Sequence, residues 1–237
     1  MMPLPPLVGM IVPPSDGAVP PEPPVLYPDL RFAARGLALP RLTPEGYDSV
    51  IDRTAELAAD LKREGAVAVS LMGTSLSFYR GPAGNRRVIE AMHAATGLPV
   101  TTMTLSVLDA FEALGVRRIA VGTAYTDPVN RALIAYFYDE GIEVCALEAL
   151  NLTEVADIHA VDDADLFALG RRAAQAAPQA DALFISCGGL RTLPVVVPLE
   201  TALGMPVVTS ATAGAWGAAR LAGYSGRAPG YGQLFEL

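Results

Sequence analysis

Two similar hexapeptides, GLPVTT at residues 97–102 and GMPVVT at residues 204–209, decide the fold of this chain. Each predicts a short buried strand that begins after a glycine turn. A helical pattern follows each strand and ends at a further glycine, Gly115 in the first copy and Gly223 in the second. The sequence therefore contains an internal repeat of a strand and a helix.

The repeat extends upstream of the two hexapeptides. The apolar run at residues 67–72 leads into Gly73, as the run at residues 183–186 leads into Cys187. This alignment places Gly73 opposite Cys187. Chance similarity between two α/β units is the alternative explanation, but the matching order of three elements favours two related halves with a cleft between them.

Short apolar runs alternate with amphipathic stretches along the chain, which is typical of parallel α/β folds. Several runs are apolar throughout, as expected for strands that are covered on both faces. The predicted strands are Leu7–Val12 and residues 66–72, 99–102, 118–123, 143–147, 182–186 and 206–209.

Helix start and stop signals lie between these strands. They predict helices at residues 43–65, 127–141 and 162–177. Two long connections remain, at residues 13–28 and 148–160. Loops that follow the carboxyl ends of parallel strands often carry the binding site, so both connections are candidates for it.

The composition argues against several classes of function. A net charge of −8 and a pI near 4.8 disfavour binding to nucleic acids or anionic membrane surfaces. Lys62 is the one lysine, which leaves almost no scope for Schiff-base chemistry. Residues 1–6 lack the pattern of a signal peptide, and no apolar stretch of about 18 residues predicts a membrane span. Because two cysteines are too few for a disulfide scaffold, we expect a cytoplasmic protein with free thiols.

Cys187 is the strongest candidate for a catalytic residue. It follows an apolar strand and precedes Gly188 and Gly189, so we expect its side chain at the carboxyl end of the sheet. The glycines let a ligand approach backbone N–H groups, which attract a carboxylate and lower the pKa of a thiol. A buried structural cysteine is the alternative, and the strand-end position beside two glycines disfavours it. Cys145, inside a predicted strand, is expected to be structural.

Three further polar residues follow predicted strands. Thr74 and Ser75 come after the equivalent strand of the first half, and their hydroxyl and N–H groups suit a carboxylate as well as they suit a helix cap. Tyr125 follows the strand that ends at Thr123, where its hydroxyl can reach the same cleft or its ring can simply pack.

The sequence offers no motif for a metal or a nucleotide. It contains neither G-x-G-x-x-G nor a Walker A motif. His93 and His159 have no partners at metal-ligand spacing, and there is no cysteine cluster. We therefore expect neither a metal nor a nucleotide cofactor.

Stretches distributed along nearly the whole chain resemble the arylmalonate decarboxylases, a family of the aspartate/glutamate racemase superfamily. The stretch VSLMGTSLSFYR at residues 69–80 is specific, whereas the CGG of residues 187–189 would be a weak signal by itself. The other matching stretches are residues 9–14 (GMIVPP), 26–30 (LYPDL), 43–48 (TPEGYD), 114–118 (LGVRR), 186–190 (SCGGL) and 229–232 (PGYG).

The resemblance implies an α/β fold of two similar parallel-sheet αβα halves, related by pseudo-two-fold symmetry as in the racemases, with the active site in the cleft between them. Residues 1–112 with the C-terminal segment 213–237 would form the first half, and residues 113–212 the second. The resemblance also implies a monomeric, cofactor-free enzyme that binds a small dicarboxylate. One carboxylate of a 2-aryl-2-substituted malonate leaves as carbon dioxide, and the planar enediolate is protonated on one face to give a chiral 2-arylpropionate.

Residue roles follow from the same resemblance. Cys187 is the proton donor, and Gly73 marks the position of an absent second cysteine. The residues implied to hold the retained carboxylate are Thr74, Ser75, Tyr125, Gly188 and Gly189. Those implied to form an apolar pocket for the departing carboxylate are Pro13, Pro14, Leu39, Leu42, Leu76, Val155 and Ile158. At Leu42 and Ile158 the family carries valine and methionine, so both positions stay apolar.

Three alternatives remain open at this point. Racemases of the superfamily use a cysteine from each half, one to remove the proton and one to return it. Gly73 leaves this chain with one thiol, which disfavours a racemase and also a maleate isomerase, another two-cysteine relative. A non-catalytic carboxylate-binding protein is the third alternative, and it would keep its function after Cys187→Ala.

Overall fold

The computed structural model describes residues 4–237 and contains two four-stranded parallel sheets. The first sheet consists of β1 (Leu7–Val12), β2 (Arg31–Gly36), β3 (Ala66–Leu71) and β4 (Val100–Thr102), in the spatial order β2-β1-β3-β4. The second consists of β5 (Arg118–Thr123), β6 (Glu143–Ala149), β7 (Ala182–Ser186) and β8 (Val207–Thr209), in the order β6-β5-β7-β8. The shared order confirms the prediction of two similar parallel α/β halves.

Helices connect the strands of each sheet. In the first half they are α1 (Glu22–Leu26), α2 (Pro44–Asp48), α3 (Thr54–Arg63), α4 (Thr74–Phe78), α5 (Gly81–Thr96) and α6 (Met103–Leu114). The helices that follow strands of the second sheet are α7 (Asp127–Asp139), α8 (Val155–His159), α9 (Asp163–Ala176), α10 (Leu193–Leu203) and α11 (Ser210–Leu221). None of these helices of residues 4–237 combines the length and the apolar character that spanning a membrane requires.

All seven predicted strands are confirmed to within two residues at their ends. The runs were recognisable because strands such as β1 and β7 are buried along their whole length. Strand β2 was not predicted from the sequence; it lies at the edge of its sheet and pairs only with β1. Its sequence RFAARG is not continuously apolar, because an edge strand is only partly covered.

The predicted helix at residues 43–65 is broken in the structure. It divides into α2, a 3₁₀ turn at Ile51–Arg53, and α3. The hydroxyl of Ser49 donates to the Gly46 carbonyl over 2.7 Å, and such side-chain bonds compete with helix continuation. The other two predicted helices are confirmed as α7 and α9, and the Asp162 carboxylate caps α9.

The two long connections are shorter than expected, because each contains a helix. The Pro-rich segment 13–28 includes α1, and the segment 148–160 includes the end of β6 and all of α8. Helix α1 was not predicted because prolines lie at its start, although proline is tolerated in the first turn of a helix.

Strand register relates the two halves residue by residue. Leu71 of β3 pairs with Thr102 of β4, and Ile185 of β7 pairs with Thr209 of β8. Thr102 and Thr209 are the last residues of the repeated hexapeptides, and the hydroxyl of each caps the following helix. Residues at the same distance beyond Leu71 and Ile185 are therefore structurally equivalent.

The helices α6 and α11, which follow the repeated strands, pack against each other. They approach so closely that a Cβ added at Gly217 would lie 2.1 Å from Oγ of Ser106. Helix α11 contacts β3 and β4 of the first sheet as well as β7 and β8 of the second. Since it touches both halves, the assignment of residues 213–237 to the first half stays a prediction.

Candidate active site

A cavity of about 490 Å³ opens between the carboxyl ends of β1, β3, β5 and β7. The residues that the sequence analysis placed in the site all line it, apart from Leu76. They are Pro13, Pro14, Leu39, Leu42, Gly73, Thr74, Ser75, Tyr125, Val155, Ile158, Cys187, Gly188 and Gly189. Its volume is within the usual range for a small-molecule site, and both halves contribute to its wall.

Leu76 lies next to Gly73, which lines the cavity. Its side chain is buried, and a Cβ added at Gly73 would lie 2.7 Å from its Cδ1. Leu76 is not among the residues that line the cavity, so its place in the apolar pocket stays a prediction.

Cys187 and Gly73 hold equivalent positions, since each lies two residues beyond a paired strand residue. Cys187 is 4% exposed and has a φ of 147°, a conformation that favours glycine. Its N–H donates to Oγ of Ser210 and its carbonyl accepts the N–H of Leu190, both over 3.2 Å. These bonds hold the backbone in a strained conformation, which directs the thiol into the cavity.

Burial raises the pKa of the Cys187 thiol to about 11. The N–H groups of Gly189 and Leu190 and the hydroxyl of Tyr125 act in the opposite direction, because they stabilise the thiolate. Burial outweighs them, so the thiol is protonated at neutral pH. The same three groups can stabilise the thiolate that forms when the proton leaves.

Tyr125 is fully buried at the end of β5, beside Cys187. The hydroxyl of Ser186 donates to its phenolic oxygen over 3.4 Å, and burial raises its pKa well above the usual value. The side-chain amide of Asn130 donates to the Tyr125 carbonyl over 3.0 Å and so fixes the turn that carries the ring. Tyr125 is thus a neutral, positioned hydrogen-bond donor.

Thr74 and Ser75 form the first turn of α4, whose N–H groups lack partners within the helix. The Thr74 hydroxyl donates to Sδ of Met103 over 3.0 Å. A thioether is a weak acceptor, so exchanging it for a carboxylate oxygen is favourable. Both residues are buried, and together with Tyr125 they give one side of the cavity a set of oxygen and nitrogen donors.

Tyr47 is a neighbour of the site that the sequence analysis missed. Its hydroxyl is buried and has no hydrogen-bond partner within the described residues 4–237. Burial raises its pKa, and the further contributions of Ser75 and Cys187 to that pKa place the hydroxyl near both side chains. The stretch TPEGYD at residues 43–48 was the only signal for it.

The apolar side of the cavity contains residues from both halves. Leu39 and Leu42 are buried in one loop, whose Leu42 N–H donates to the Thr153 carbonyl of the second half over 3.2 Å. Ile158 of α8 is also buried, and it lies 3.1 Å from the position of a Cβ added at Gly189. The wall of the cavity therefore combines a donor-rich side, an apolar side and the Cys187 thiol.

Known proteins resemble this chain over nearly its whole length. The sequence profile of the arylmalonate decarboxylase family matches residues 8–235. The chain is 51% identical, over 98% of its length and 97% of the relative, to the arylmalonate decarboxylase of Bordetella bronchiseptica. The chain belongs to the arylmalonate decarboxylase family. It is therefore an enzyme of the carboxy-lyase class.

A solved structure of an arylmalonate decarboxylase superposes closely on the chain. That protein is a liganded double mutant with a glycine-to-cysteine and a cysteine-to-serine substitution. Its TM-score is 0.96 at 50% identity, covering 98% of this chain and 99% of the other. The maleate isomerase of Nocardia farcinica is more distant, with 27% identity over 97% of this chain and 95% of the relative.

Charged residues that the sequence analysis did not single out also line the cavity of this arylmalonate decarboxylase family member. They are Arg191 and two residues of the Pro-rich connection, Asp16 and Glu22. His159 lines the cavity as well. The position of Arg191, four residues after Cys187, is a signal that could have identified it.

The two remaining residues considered from the sequence lie elsewhere in this decarboxylase fold. Cys145 is half-buried in β6, and His93 is exposed on α5. Neither is among the residues that line the cavity.

Proposed function

We propose that this enzyme decarboxylates 2-aryl-2-substituted malonates without a cofactor and protonates the resulting enediolate on one face from Cys187. The observation that carries the proposal is one buried, protonated thiol in a single cavity that is lined by both hydrogen-bond donors and apolar side chains. The equivalent position in the other half is Gly73, which has no side chain to act as a second acid or base.

In this proposal, the two carboxylates of the substrate bind at different sides of the cavity. The retained carboxylate binds to the hydroxyls of Thr74, Ser75 and Tyr125 and to the backbone N–H groups of Gly188 and Gly189. In the enediolate the charge on these oxygens increases, and preorganised donors at such a place are worth roughly 10²–10³-fold in rate each. The donors therefore stabilise the transition state more than the bound substrate.

The departing carboxylate faces the apolar side formed by Leu39, Leu42, Val155 and Ile158 with the two prolines after β1. A carboxylate there loses hydration, whereas neutral carbon dioxide does not need it. Loss of carbon dioxide removes the unfavourable charge from this wall, so the apolar side favours the product of bond cleavage.

The reaction balances with the groups of the site. The bond between Cα and the departing carboxylate breaks, and its electron pair forms the enediolate with the retained carboxylate. The Cys187 thiol then donates its proton to Cα, which leaves a thiolate and a 2-arylpropionate. The thiolate is stabilised by the N–H groups of Gly189 and Leu190 until it takes a proton from water. Since one thiol lies on one side of the plane, one enantiomer results.

The decisive experiment is incubation with 2-methyl-2-phenylmalonate in D₂O, followed by chiral analysis and mass spectrometry of the acid formed. We expect 2-phenylpropionate of a single configuration with one deuterium at Cα. Cys187→Ala should lose nearly all turnover, whereas Cys145→Ala is the matched control and should keep it. Racemic product from the unmutated enzyme, or full turnover by Cys187→Ala, would overturn the proposal.

Racemisation and simple binding are the competing outcomes of this experiment. A racemase would exchange the Cα proton of an added enantiomerically pure 2-phenylpropionate in D₂O, and a binding protein would take up phenylmalonate without releasing carbon dioxide. The liganded arylmalonate decarboxylase structure carries a glycine-to-cysteine and a cysteine-to-serine substitution. Substitutions of these two residue types in a relative support testing Cys187 and Gly73 here.

A further inference from the structure

Glu22 is a buried carboxyl in the cavity wall that the proposed reaction does not use. It is 3% exposed and lines the cavity at the first residue of α1. Its carboxyl accepts a hydrogen bond from its own backbone N–H, and none of the ion pairs of residues 4–237 includes it. A buried carboxyl without a side-chain partner is costly, so a group bound in the cavity would improve its environment.

Arg191 provides the complementary charge. It is exposed, lines the same cavity, and likewise takes part in none of the ion pairs of the described residues. Burial raises the pKa of Glu22, and the positive charge of Arg191 acts against that rise, so the two side chains are near each other. Neither an ion pair nor a side-chain hydrogen bond joins Glu22 to Arg191 in the described residues, and both side chains line the cavity in which a ligand binds.

Other charged or titratable groups of the wall do not replace this pair. Asp16 accepts the N–H of Ala18 over 3.1 Å and so is engaged in its own turn. His159 lies beside Gly189, 3.5 Å from the position of a Cβ added there. Among the described residues that line the cavity, Arg191 is the only arginine or lysine.

The chemistry of the pair selects the group that fits between them. An anion would be attracted by Arg191 but repelled by Glu22. A cation would be attracted by Glu22 but repelled by Arg191. A neutral hydroxyl satisfies both, because its O–H donates to the carboxylate and its oxygen accepts from the guanidinium. Hydrogen bonds to charged groups are stronger than those between neutral groups.

We propose that Glu22 and Arg191 form a polar subsite that binds a hydroxyl group on the aryl ring of the substrate. Hydroxyaryl malonates are then the preferred substrates of this enzyme. This inference rests on the proposed decarboxylase function and adds a substrate class to it. The apolar side of the cavity binds the departing carboxylate, and the polar subsite fixes the far edge of the ring.

The test compares kcat/KM for 2-methyl-2-phenylmalonate with that for its 3-hydroxyphenyl, 4-hydroxyphenyl and corresponding methoxyphenyl analogues. We expect one hydroxyphenyl isomer to be preferred over the phenyl parent by about tenfold, the usual worth of a charge-assisted hydrogen bond. Its methoxy analogue should lose the preference, because it cannot donate to Glu22. A hydroxyl preference absent from both isomers overturns the subsite.

Variants are judged by the ratio of hydroxyphenyl to phenyl kcat/KM, which cancels general losses of activity. Glu22→Gln and Arg191→Leu should each bring the ratio towards one. Arg171→Leu, which replaces an exposed arginine of α9 outside the cavity, should keep the ratio of the unmutated enzyme. Thermal unfolding confirms that each variant is folded. An unchanged ratio in both site variants overturns the assignment of the two residues.

Binding separates failure of the subsite from failure of the reaction. Calorimetric titration with 2-phenylpropionate and its hydroxyphenyl analogues measures the hydroxyl preference without turnover. If no malonate is decarboxylated but the hydroxyl preference is present and lost in Glu22→Gln, the proposed function fails and the subsite stands. If phenylmalonate is decarboxylated and neither kinetics nor binding favours a hydroxyl, the subsite fails and the function stands.

Discussion

Gly73 and Cys187 occupy the same position in the two halves of the molecule, but their backbones differ. The φ angle is −143° at Gly73 and 147° at Cys187. Glycine therefore stands where any residue could adopt the backbone conformation, and cysteine stands where glycine would be favoured. Chemistry rather than backbone conformation explains the residue type at both positions, since the thiol is present where its backbone is strained.

The strain at Cys187 leads to a prediction about stability. Cys187→Gly should be more stable to unfolding than Cys187→Ala by about 1 kcal/mol, because glycine relieves a conformation that costs other residues about 1–3 kcal/mol. The greater flexibility of unfolded glycine offsets about 0.4–1 kcal/mol of that gain. Denaturant unfolding of both variants measures the difference, and both should be inactive.

Cys145 supplies the control for this comparison. It lies inside β6 and is not among the residues with positive φ. There the order should reverse, with Cys145→Gly less stable than Cys145→Ala by about 0.5–1 kcal/mol. The same order at both positions would contradict strain at Cys187.

A second prediction concerns the glycine. Gly73→Cys places a thiol at the position equivalent to Cys187 and should introduce racemisation of 2-arylpropionates, because the site then has an acid and a base on opposite sides of Cα. The new Cβ would lie 2.7 Å from Cδ1 of Leu76, so that side chain must move. Such overpacking should cost about 1–3 kcal/mol of stability.

Gly73→Ala separates the steric effect from the chemical one. It carries the same Cβ without a thiol, so it should lose similar stability and racemise nothing. Loss of optical rotation of an enantiomerically pure 2-phenylpropionate is the measurement. Equal racemisation by the two variants would show that the new thiol is not the second base.

The fold was predictable from the sequence where burial determines residue type. Strands such as β1 and β7 are apolar throughout because both faces are covered, and the threonines that end the repeated hexapeptides cap helices in both halves. The edge strand β2 is only partly covered, so its residues are mixed and did not reveal it. An edge position alone does not prevent prediction, since the edge strands β4, β6 and β8 were predicted.

The site was predictable where a residue follows a strand directly. Thr74, Tyr125 and Cys187 do so and line the cavity, and the family resemblance supplied most of the apolar wall. Glu22 and Tyr47 reach the site from short helices distant in sequence from any of these strand ends. No local pattern identifies such residues, because their position depends on how the loops fold over the sheet.

Tyr47 carries the third prediction. Its buried hydroxyl lacks a partner in the described residues, and an unsatisfied buried group costs about 1–3 kcal/mol. Tyr47→Phe should therefore increase the stability of the ligand-free enzyme by about 1 kcal/mol. If the hydroxyl positions Ser75 for the retained carboxylate, the same change should lower kcat/KM by about tenfold.

Tyr79→Phe is the matched control for that variant. The Tyr79 ring lies 5.0 Å from the Tyr47 ring, but its hydroxyl already donates to the Asp48 carboxylate over 2.8 Å. Its removal should not stabilise the enzyme. A Tyr47→Phe variant that is destabilised and fully active would show that the hydroxyl has a structural partner and no part in binding.

The last prediction concerns pH. Burial raises the pKa of Cys187 from an ordinary 9.0 to about 11, and the proposed reaction needs the protonated thiol. The rate of decarboxylation should therefore stay level through the range in which a free thiol ionises and should fall only as pH approaches about 11. The free energy of unfolding should also decrease at high pH. Because the pKa of Cys187 is higher in the folded state than in the unfolded state, its contribution to stability is complete below pH 9.0 and is lost as pH rises towards 11. Single-turnover rates in a Cys145→Ser background, with thiolate absorbance recorded on the same samples, measure both quantities. If the rate instead rises between pH 8 and 10 with the appearance of thiolate, as for a nucleophile or base, Cys187 is not the proton donor of this site.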